Sequence, residues 1–137
     1  MNASNVIFKV AAIVIENNRF LVVRKSGKDI WTSLGGKPEK NETEEETLVR
    51  ETKEELDCDI KIIRKLINVE DKAIFDDAKV KLSFYLAELV GKPIIIDNEL
   101  EEFCFITKDY KSRGIKLPPS LENQVIPFCI KQGLLRW

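Results

Sequence analysis

Histidine is absent from the 137-residue sequence, and its absence excludes several kinds of active site. It removes the usual general base, the Ser–His and Cys–His nucleophile pairs and the imidazole ligand for zinc. The only cysteines are Cys58, Cys104 and Cys129, which are odd in number, far apart and not in a CxxC arrangement. We therefore expect neither a disulfide framework nor a zinc–thiolate site. Any chemistry must run on carboxylates, lysines, hydroxyls or a metal ion held by oxygen atoms.

An excess of charge is also lacking, because 22 Lys and Arg residues balance 23 Asp and Glu residues. This balance gives no indication that the chain binds a nucleic-acid polymer. No apolar stretch approaches the roughly 20 residues that a membrane helix needs, and the N-terminus does not resemble a signal peptide. We expect a cytoplasmic protein that does not bind membranes. The length predicts a single domain over residues 1–137.

Hydrophobic periodicity and turn residues predict several strands and two helices. The helices are expected over 43–56 and 121–134, and Pro127 should delay or kink the second one. Strands are expected over 6–15, 19–24, 31–34, 59–69, 80–86 and 103–106. This order predicts a mixed β-sheet covered by helices, in the α+β class or as an α/β/α sandwich.

The first predicted helix lies in an acidic segment with seven glutamates between Glu42 and Glu55. Residues three and four apart share a helix face, so Glu51, Glu54 and Glu55 should converge. Like charges at this spacing cost a few tenths of a kcal/mol per pair, and a bound divalent cation would reverse the sign. For the helix alone, a solvated acidic face is the commoner explanation.

The residues that flank this helix change the interpretation. The segment 36–58 reads GKPEKNETEEETLVRETKEELDC. It resembles the Nudix box, usually written GX5EX7REUXEEXGU with U a bulky apolar residue. Six fixed positions agree in register: Gly36, Glu42, Arg50, Glu51, Glu54 and Glu55.

Three positions depart from the usual pattern of the box. Thr52 replaces an aliphatic residue, Asp57 replaces the glycine that ends the helix, and Leu34 stands where proline is frequent. Asp tolerates the left-handed conformation better than most residues, so we expect the turn at Asp57 to persist at modest cost. None of these departures removes a predicted metal ligand.

The resemblance implies a Nudix-type α/β/α sandwich whose central helix holds Mg²⁺, with Mn²⁺ as the alternative. Oxygen ligands without nitrogen or sulfur favour such hard cations. The implied metal ligands are Glu51, Glu54, Glu55 and the Gly35 carbonyl. The implied catalytic residues are Glu51 as the base that accepts a proton from water, Arg50 as its partner, Glu54, and one further glutamate. For that glutamate Glu102 matches best in position and Glu99 is second; loop acids without a function are an equally good explanation.

Candidate substrate contacts outside the box are less specific. Arg24, Lys25 and Lys37 are candidates for contacting phosphates, and Asn123 is a candidate for contacting a base. Trp31, Phe75 and Tyr85 are candidates for stacking, although core packing is the commoner role of aromatic residues in strands.

The resemblance predicts a hydrolase that cleaves the diphosphate linkage of a nucleoside diphosphate derivative with a metal-activated water. An oxidised nucleoside triphosphate, a nucleotide sugar, ADP-ribose and a dinucleoside polyphosphate all remain open as substrates. The short chain favours a nucleoside triphosphate slightly. The alternative is a catalytically silent Nudix-fold module that binds nucleotides or regulates. Dimers are common in the family, so a homodimer is among the expected assemblies.

Overall fold

A computed structural model describes residues 5–72, 78–96 and 98–137 of the chain. In this part it contains eight strands, two α-helices and one π-helical turn. The elements are β1 (Val6–Ile13), β2 (Ile15–Glu16), β3 (Arg19–Lys25), β4 (Trp31–Thr32), β5 (Leu34–Gly36), α1 (Glu44–Leu56), β6 (Asp59–Lys72), β7 (Lys79–Val90), β8 (Leu100–Ile106), the π-helical turn (Ser120–Val125) and α2 (Ile126–Lys131).

The strands form two sheets of four strands each. The first sheet has the order β5-β1-β7-β6, with β1 and β7 parallel and the other pairs antiparallel. The second sheet is built on β3, which pairs antiparallel with β2, β4 and β8. The predicted mixed sheet is the first one, which contains the parallel pair, and the second sheet is purely antiparallel. The parallel pairing of β1 with β7 is possible because the long connection between them contains α1.

Two hydrophobic cores lie on opposite faces of these sheets. Both sheets contribute to both cores, because side chains alternate along each strand. Leu48 and Leu56 of α1 pack into one core, and Leu121, Val125 and Cys129 pack into the other. The architecture is a mixed α/β/α sandwich, as the sequence predicts.

Helix α1 begins with a capping box. Thr43 accepts a hydrogen bond from the Glu46 backbone N–H at 3.1 Å, and the Glu46 carboxylate accepts one from the Thr43 N–H at 2.9 Å. At the other end Asp57 adopts the left-handed conformation, with φ 50° and ψ 38°. The buried Thr52 hydroxyl donates to the Leu48 carbonyl at 2.7 Å. Two of the three departures from the usual box, Asp57 and Thr52, therefore fit the helix without disturbing its neighbours in sequence.

The C-terminal helix differs from the prediction of one helix over 121–134. A π-helical turn comes first, and the α-helix covers only Ile126–Lys131. Pro127, which has no N–H to donate, lies where the geometry changes from π to α. The helix ends early because Gly133 turns left-handed with φ 78°, and the Leu134 N–H then donates to the Cys129 carbonyl at 2.9 Å.

The remaining expectations about composition can be placed on the structure. All three cysteines are free thiols, as expected. Trp31 and Tyr85 are buried in the cores, whereas Phe75 lies outside the described residues. No helix in the described ranges is long and apolar enough to cross a membrane.

Candidate functional site

The paired glycines of β5 let two parts of the chain approach each other closely. Gly35 pairs with Ala11 and Gly36 with Val10 across the β5–β1 ladder. A Cβ atom at Gly35 would overlap the Val10 carbonyl oxygen, and one at Gly36 would lie 2.5 Å from the carboxyl carbon of Glu51. Glycine at position 36 therefore makes room for the Glu51 carboxyl group beside the strand.

Arg50 connects the Glu51 and Glu54 carboxylates of α1 to the loop before this helix. Its Nε donates to Glu42 at 2.7 Å, and its Nη1 donates to Glu51 at 2.9 Å and to Glu54 at 2.8 Å. Its Nη2 donates to the Lys37 carbonyl at 3.1 Å and to Glu42 at 3.0 Å. One guanidinium thus fixes the positions of three carboxylates relative to β5.

Glu42 is the most strongly held of these carboxylates. Besides Arg50, it accepts hydrogen bonds from the Thr47 hydroxyl at 2.8 Å and from the Glu39 backbone N–H at 2.9 Å. The Arg50 hydrogen bond, with the Glu39 N–H next, lowers the pKa of Glu42 to about 2. Thr47, whose side chain is fully buried, was not singled out from the sequence, because nothing in its position signals a carboxylate partner five residues earlier.

Glu51 and Glu55 are the more buried of the three glutamates predicted as metal ligands. Burial raises the pKa of Glu51, although the hydrogen bond from Arg50 opposes the effect. Glu55 is only 2% exposed, whereas the Glu54 side chain is 50% exposed. A nearby divalent cation would favour the charged form of all three groups.

The carboxylates are suitable donors for a metal ion, but they are not arranged in a coordination geometry. All the donors are oxygen atoms, as Mg²⁺ requires, and the Glu51 and Glu54 oxygens already converge on one cationic nitrogen. Within the described residues, however, no three His, Cys, Asp or Glu side chains are arranged to hold an ion as they stand. The donor set fits the cation, because Arg50 contacts only Oε1 of Glu51 and Oε1 of Glu54, and rotations of the side chains would bring further carboxylate oxygens together.

A cavity of about 550 Å³ opens beside these carboxylates. Its lining includes Gly35, Gly36, Arg50, Glu51 and Glu55, and several lysines surround it: Lys9, Lys25, Lys28, Lys37 and Lys72. The volume suits a ligand of nucleotide size. Lysines near carboxylates suit a ligand that is both an anion and a partner of a bound cation.

Only some of the other predicted site residues line the cavity. Lys25, Lys37 and Glu99 line the cavity, whereas Asn123 is exposed outside its lining. Arg24 is also outside the lining; it stacks over Trp31 at 5.6 Å and forms ion pairs with Glu101 and Glu102. Of the two acidic candidates for the additional glutamate, the structure brings Glu99 rather than Glu102 to the cavity.

A cluster of carboxylates on a helix, next to a cavity surrounded by lysines, is an arrangement typical of proteins that bind phosphate compounds together with divalent cations. The sequence profile of the NUDIX domain matches residues 7–112. The chain belongs to the Nudix family, whose hydrolases generally use divalent metals and act on pyrophosphate bonds.

Solved structures agree with this assignment at the level of the fold. A MutT protein from Methanosarcina mazei Go1 superposes with a TM-score of 0.79 at 19% identity, over 96% of this chain and 99% of that one. A UDP-X diphosphatase gives a TM-score of 0.76 at 19% identity, over 98% of this chain and 66% of that one. An ADP-ribose pyrophosphatase from Streptococcus suis 89-1591 gives 0.68 at 22% identity, over 92% and 90%. No curated protein sequence matches the chain closely enough to count as a relative.

Proposed function

We propose that the protein is a Mg²⁺-dependent hydrolase that cleaves the diphosphate linkage of a nucleoside diphosphate derivative. The observation that carries the proposal is the convergence of the box residues: Arg50 holds Glu42, Glu51 and Glu54 together beside Gly36, at the mouth of a cavity of nucleotide size. Two structural neighbours are a UDP-X diphosphatase and an ADP-ribose pyrophosphatase, and both activities are compatible with this reaction. We expect the enzyme to act in the cytoplasm and residues 1–137 to form one domain.

In this proposal Glu51, Glu54, Glu55 and the Gly35 carbonyl hold the cation. When bound, Mg²⁺ neutralises charge on the diphosphate and increases the acidity of the attacking water. Water attacks one phosphorus atom, the bond from that phosphorus to the bridging oxygen breaks, and the second phosphate leaves. Glu51 accepts the proton of the water, a contribution that is typically about 10²–10⁴-fold. Arg50 orients Glu51 and balances its charge, as its 2.9 Å hydrogen bond allows.

The lysines of the cavity provide the second part of the mechanism. Lys25 and Lys37 contact the phosphates and shield the negative charge that the carboxylates would otherwise repel. Glu99, which lines the same cavity, is the better placed of the two candidates for the additional glutamate. The ion pair of Arg24 with Glu102 supports a structural role for both residues, and the exposed Asn123 is placed least favourably for substrate contact.

The test is a substrate panel assayed with and without Mg²⁺, comparing the wild-type protein with Glu51→Gln and Glu54→Gln. The panel contains nucleoside triphosphates, oxidised nucleoside triphosphates, nucleotide sugars, ADP-ribose and dinucleoside polyphosphates. We expect Mg²⁺-dependent turnover by the wild type and a loss of about 10²–10⁴-fold in Glu51→Gln.

Glu45→Gln is the matched control, because it makes the same change on an exposed residue of the same helix. It should retain wild-type turnover. If wild type hydrolyses nothing on the panel but still binds nucleotides, the catalytically silent module replaces the enzyme as the function. If Glu45→Gln loses as much activity as Glu51→Gln, the carboxylates act only through the net charge of the helix.

A further inference from the structure

Strand β8 contains a β-bulge next to the cavity. Along the pairing of β8 with β3, Arg24 lies opposite Glu102, but the next residue, Lys25, lies opposite Leu100. Glu101 is therefore the extra residue of the bulge. If the register continued unbroken, Lys25, which lines the cavity, would lie opposite Glu101 and share a face of the sheet with it. The bulge therefore determines which side chain accompanies Lys25.

The burial of two apolar residues agrees with this effect of the bulge. Leu100 and Phe103 are three positions apart, so strict alternation along a strand would place them on opposite faces. Both nevertheless pack into the core that α1 covers, where Leu100 is only 2% exposed. The extra residue thus turns Leu100 to the face that Glu101 would otherwise take. As a result Glu99 lines the cavity, whereas Glu101 and Glu102 lie outside its lining.

Arg24 holds the two acidic residues of the bulge together. Its Nη2 donates to Glu102 and, at 3.3 Å, to Glu101, so two successive carboxylates share one guanidinium. Its Nη1 donates to the Lys28 carbonyl at 2.9 Å, and the guanidinium lies 5.6 Å from the centre of the Trp31 ring. The Arg24 side chain is 18% exposed, whereas both carboxylate side chains are at least half exposed. Arg24 therefore ties the bulge to β4 and to the loop that follows β3.

The chain before the bulge is held by the same loop. The Ser26 N–H donates to the Glu99 carbonyl at 2.9 Å, and the Ser26 hydroxyl donates to the Asn98 carbonyl at 2.8 Å. These bonds fix the backbone of Glu99 at the edge of the cavity. Glu99 also acts on the box: burial is the main cause that raises the pKa of Glu51, and the negative charge of Glu99 adds to it. The two carboxylates are therefore within electrostatic reach of each other.

We propose that Arg24 is a positioning residue that selects which acidic residue before β8 or at its start reaches the cavity. By holding Glu101 and Glu102 in the bulge, it leaves Glu99 to face the box carboxylates. Without these ion pairs the register can relax by one residue, which places Glu101 opposite Lys25. The inference rests on the proposed function for the role of Glu99 as the additional glutamate.

The experiment measures Mn²⁺ binding to the protein without nucleotide by electron paramagnetic resonance, so that it does not depend on turnover. The variants are Arg24→Met, Glu99→Gln and the double substitution. We expect Arg24→Met to raise the Kd of Mn²⁺ about 10-fold, as the loss of a group that orients a metal ligand typically does. Loss of a positive charge would by itself lower this Kd, so the expected change has the opposite sign to a simple charge effect. The double variant should bind Mn²⁺ as Glu99→Gln does, because Arg24 acts through Glu99.

A second readout reports on the backbone of Glu99 without any metal. It is the hydrogen-exchange rate of the Ser26 amide, measured by NMR, because this amide donates to the Glu99 carbonyl. We expect the rate to rise about 5-fold in Arg24→Met, while amides in the pairing of β1 with β7 keep their wild-type rates. Arg113→Met is the matched control, because the ion pair of Arg113 with Asp109, at 3.1 Å, lies outside the cavity lining. It should change neither the Kd nor the Ser26 rate.

Glu102→Gln is a milder variant, because it weakens one ion pair of the bulge and keeps the arginine. We expect it to raise the Kd of Mn²⁺ about 3-fold in the wild-type background and not at all in the Glu99→Gln background. Effects of Glu102→Gln and Glu99→Gln that add would make Glu102 itself a ligand and overturn the proposal. An unchanged or lower Kd in Arg24→Met would overturn it as well.

Failure of the proposed function gives a different result. If the wild type binds no Mn²⁺, the metal-dependent hydrolase is contradicted, and the Ser26 exchange rate then decides the role of Arg24. A faster rate in Arg24→Met supports the positioning role, and an unchanged rate overturns it. If Mn²⁺ binding changes as expected but no substrate is hydrolysed, only the catalytic function is contradicted.

Discussion

Arg50 and Glu42 have different roles within the box, which their hydrogen bonds distinguish. Glu42 does not line the cavity. Its carboxylate accepts hydrogen bonds from two nitrogens of Arg50, at 2.7 Å and 3.0 Å. The remaining nitrogen of Arg50 is then directed to Glu51 and Glu54. In this arrangement Glu42 fixes the arginine, and the arginine fixes the two carboxylates that we propose as metal ligands.

Substitution of Glu42 should therefore change stability in a way that depends on pH. The pKa of Glu42 is lowered from 4.5 to about 2 in the folded protein, chiefly by the Arg50 hydrogen bond. The ionised carboxylate thus stabilises the fold above pH 4.5, and this contribution is lost as the pH falls through about 2. We expect Glu42→Gln to be clearly less stable than wild type at pH 7, and the difference to shrink towards pH 2. Urea unfolding monitored by circular dichroism measures both values.

Glu45→Gln provides the control for this comparison, since Glu45 is exposed on the same helix. Its stability difference from wild type should be small and nearly the same at both pH values. A difference for Glu42→Gln that stays constant between pH 7 and about pH 2.5 would show that Glu42 stabilises the fold by its shape and not by its charge.

At the scale of elements, α1 could be predicted from the sequence in detail, whereas for the C-terminal helix the approximate position and the effect of Pro127 could be predicted but the π-helical turn could not. The N-cap, the capping box, the left-handed Asp57 and the apolar positions Leu48 and Leu56 are all local signals within one segment. The C-terminal helix depends on a distant contact, because the Ser120 N–H donates to the Asp71 carboxylate at 2.8 Å, 49 residues away. No local pattern around Pro127 reveals that contact.

The capping box of α1 should be measurable as a separate contribution. Thr43→Ala removes the oxygen that accepts the Glu46 N–H, and we expect a loss of about 1 kcal/mol in the free energy of unfolding. Thr43→Ser keeps this oxygen and should lose only a few tenths of that amount. The measurement is urea unfolding at neutral pH, with an unchanged m-value as evidence that the unfolded state is not affected. Equal losses in the two variants would assign the effect to the methyl group of Thr43 instead of the cap.

At the scale of the whole molecule, the box residues of the site could be predicted from the sequence, and the lining of the cavity could not. The carboxylates, Arg50 and the glycines lie within one short segment, so its resemblance to the Nudix box indicated a shared function. The cavity is different, because its floor comes from β1 and β7 and its wall from the link before β5. Pairing between segments that are far apart in sequence determines which side chains line it. For this reason the residues of the cavity floor and wall could not be selected from the sequence.

Hydrogen bonds also join the C-terminal residues to the first hairpin. Asn18, in the turn before β3, exchanges hydrogen bonds with the backbone of Arg136: its Nδ2 donates at 3.1 Å and its Oδ1 accepts at 2.7 Å. The Trp137 ring nitrogen donates to the Asn18 carbonyl at 2.9 Å. These bonds attach the segment after α2 to the first hairpin.

Glycine substitutions should isolate the contribution of this attachment. Asn17 and Asn18 both have positive φ, of 51° and 62°, which glycine adopts without strain. Asn18→Gly removes only the two side-chain hydrogen bonds, and we expect a loss of about 1 kcal/mol because they are exposed to solvent. Asn17→Gly should stay within about 0.5 kcal/mol of wild type. The measurement is urea unfolding, and equal effects of the two substitutions would show that the bonds to Arg136 contribute nothing.

Strand β1 has a further consequence for any attempt to redesign the cavity. Val10 and Ala12 face the core beneath α1, while Ala11 and Ile13 face the core beneath α2. The same strand provides part of the cavity floor and the partners of the paired glycines. A library that varies β1 to alter substrate preference would therefore disturb both helical layers at once, because interiors are packed without slack. Thr32 and Ser33 also line the cavity but belong to neither hydrophobic core. At such positions substrate preference can change while the scaffold stays intact.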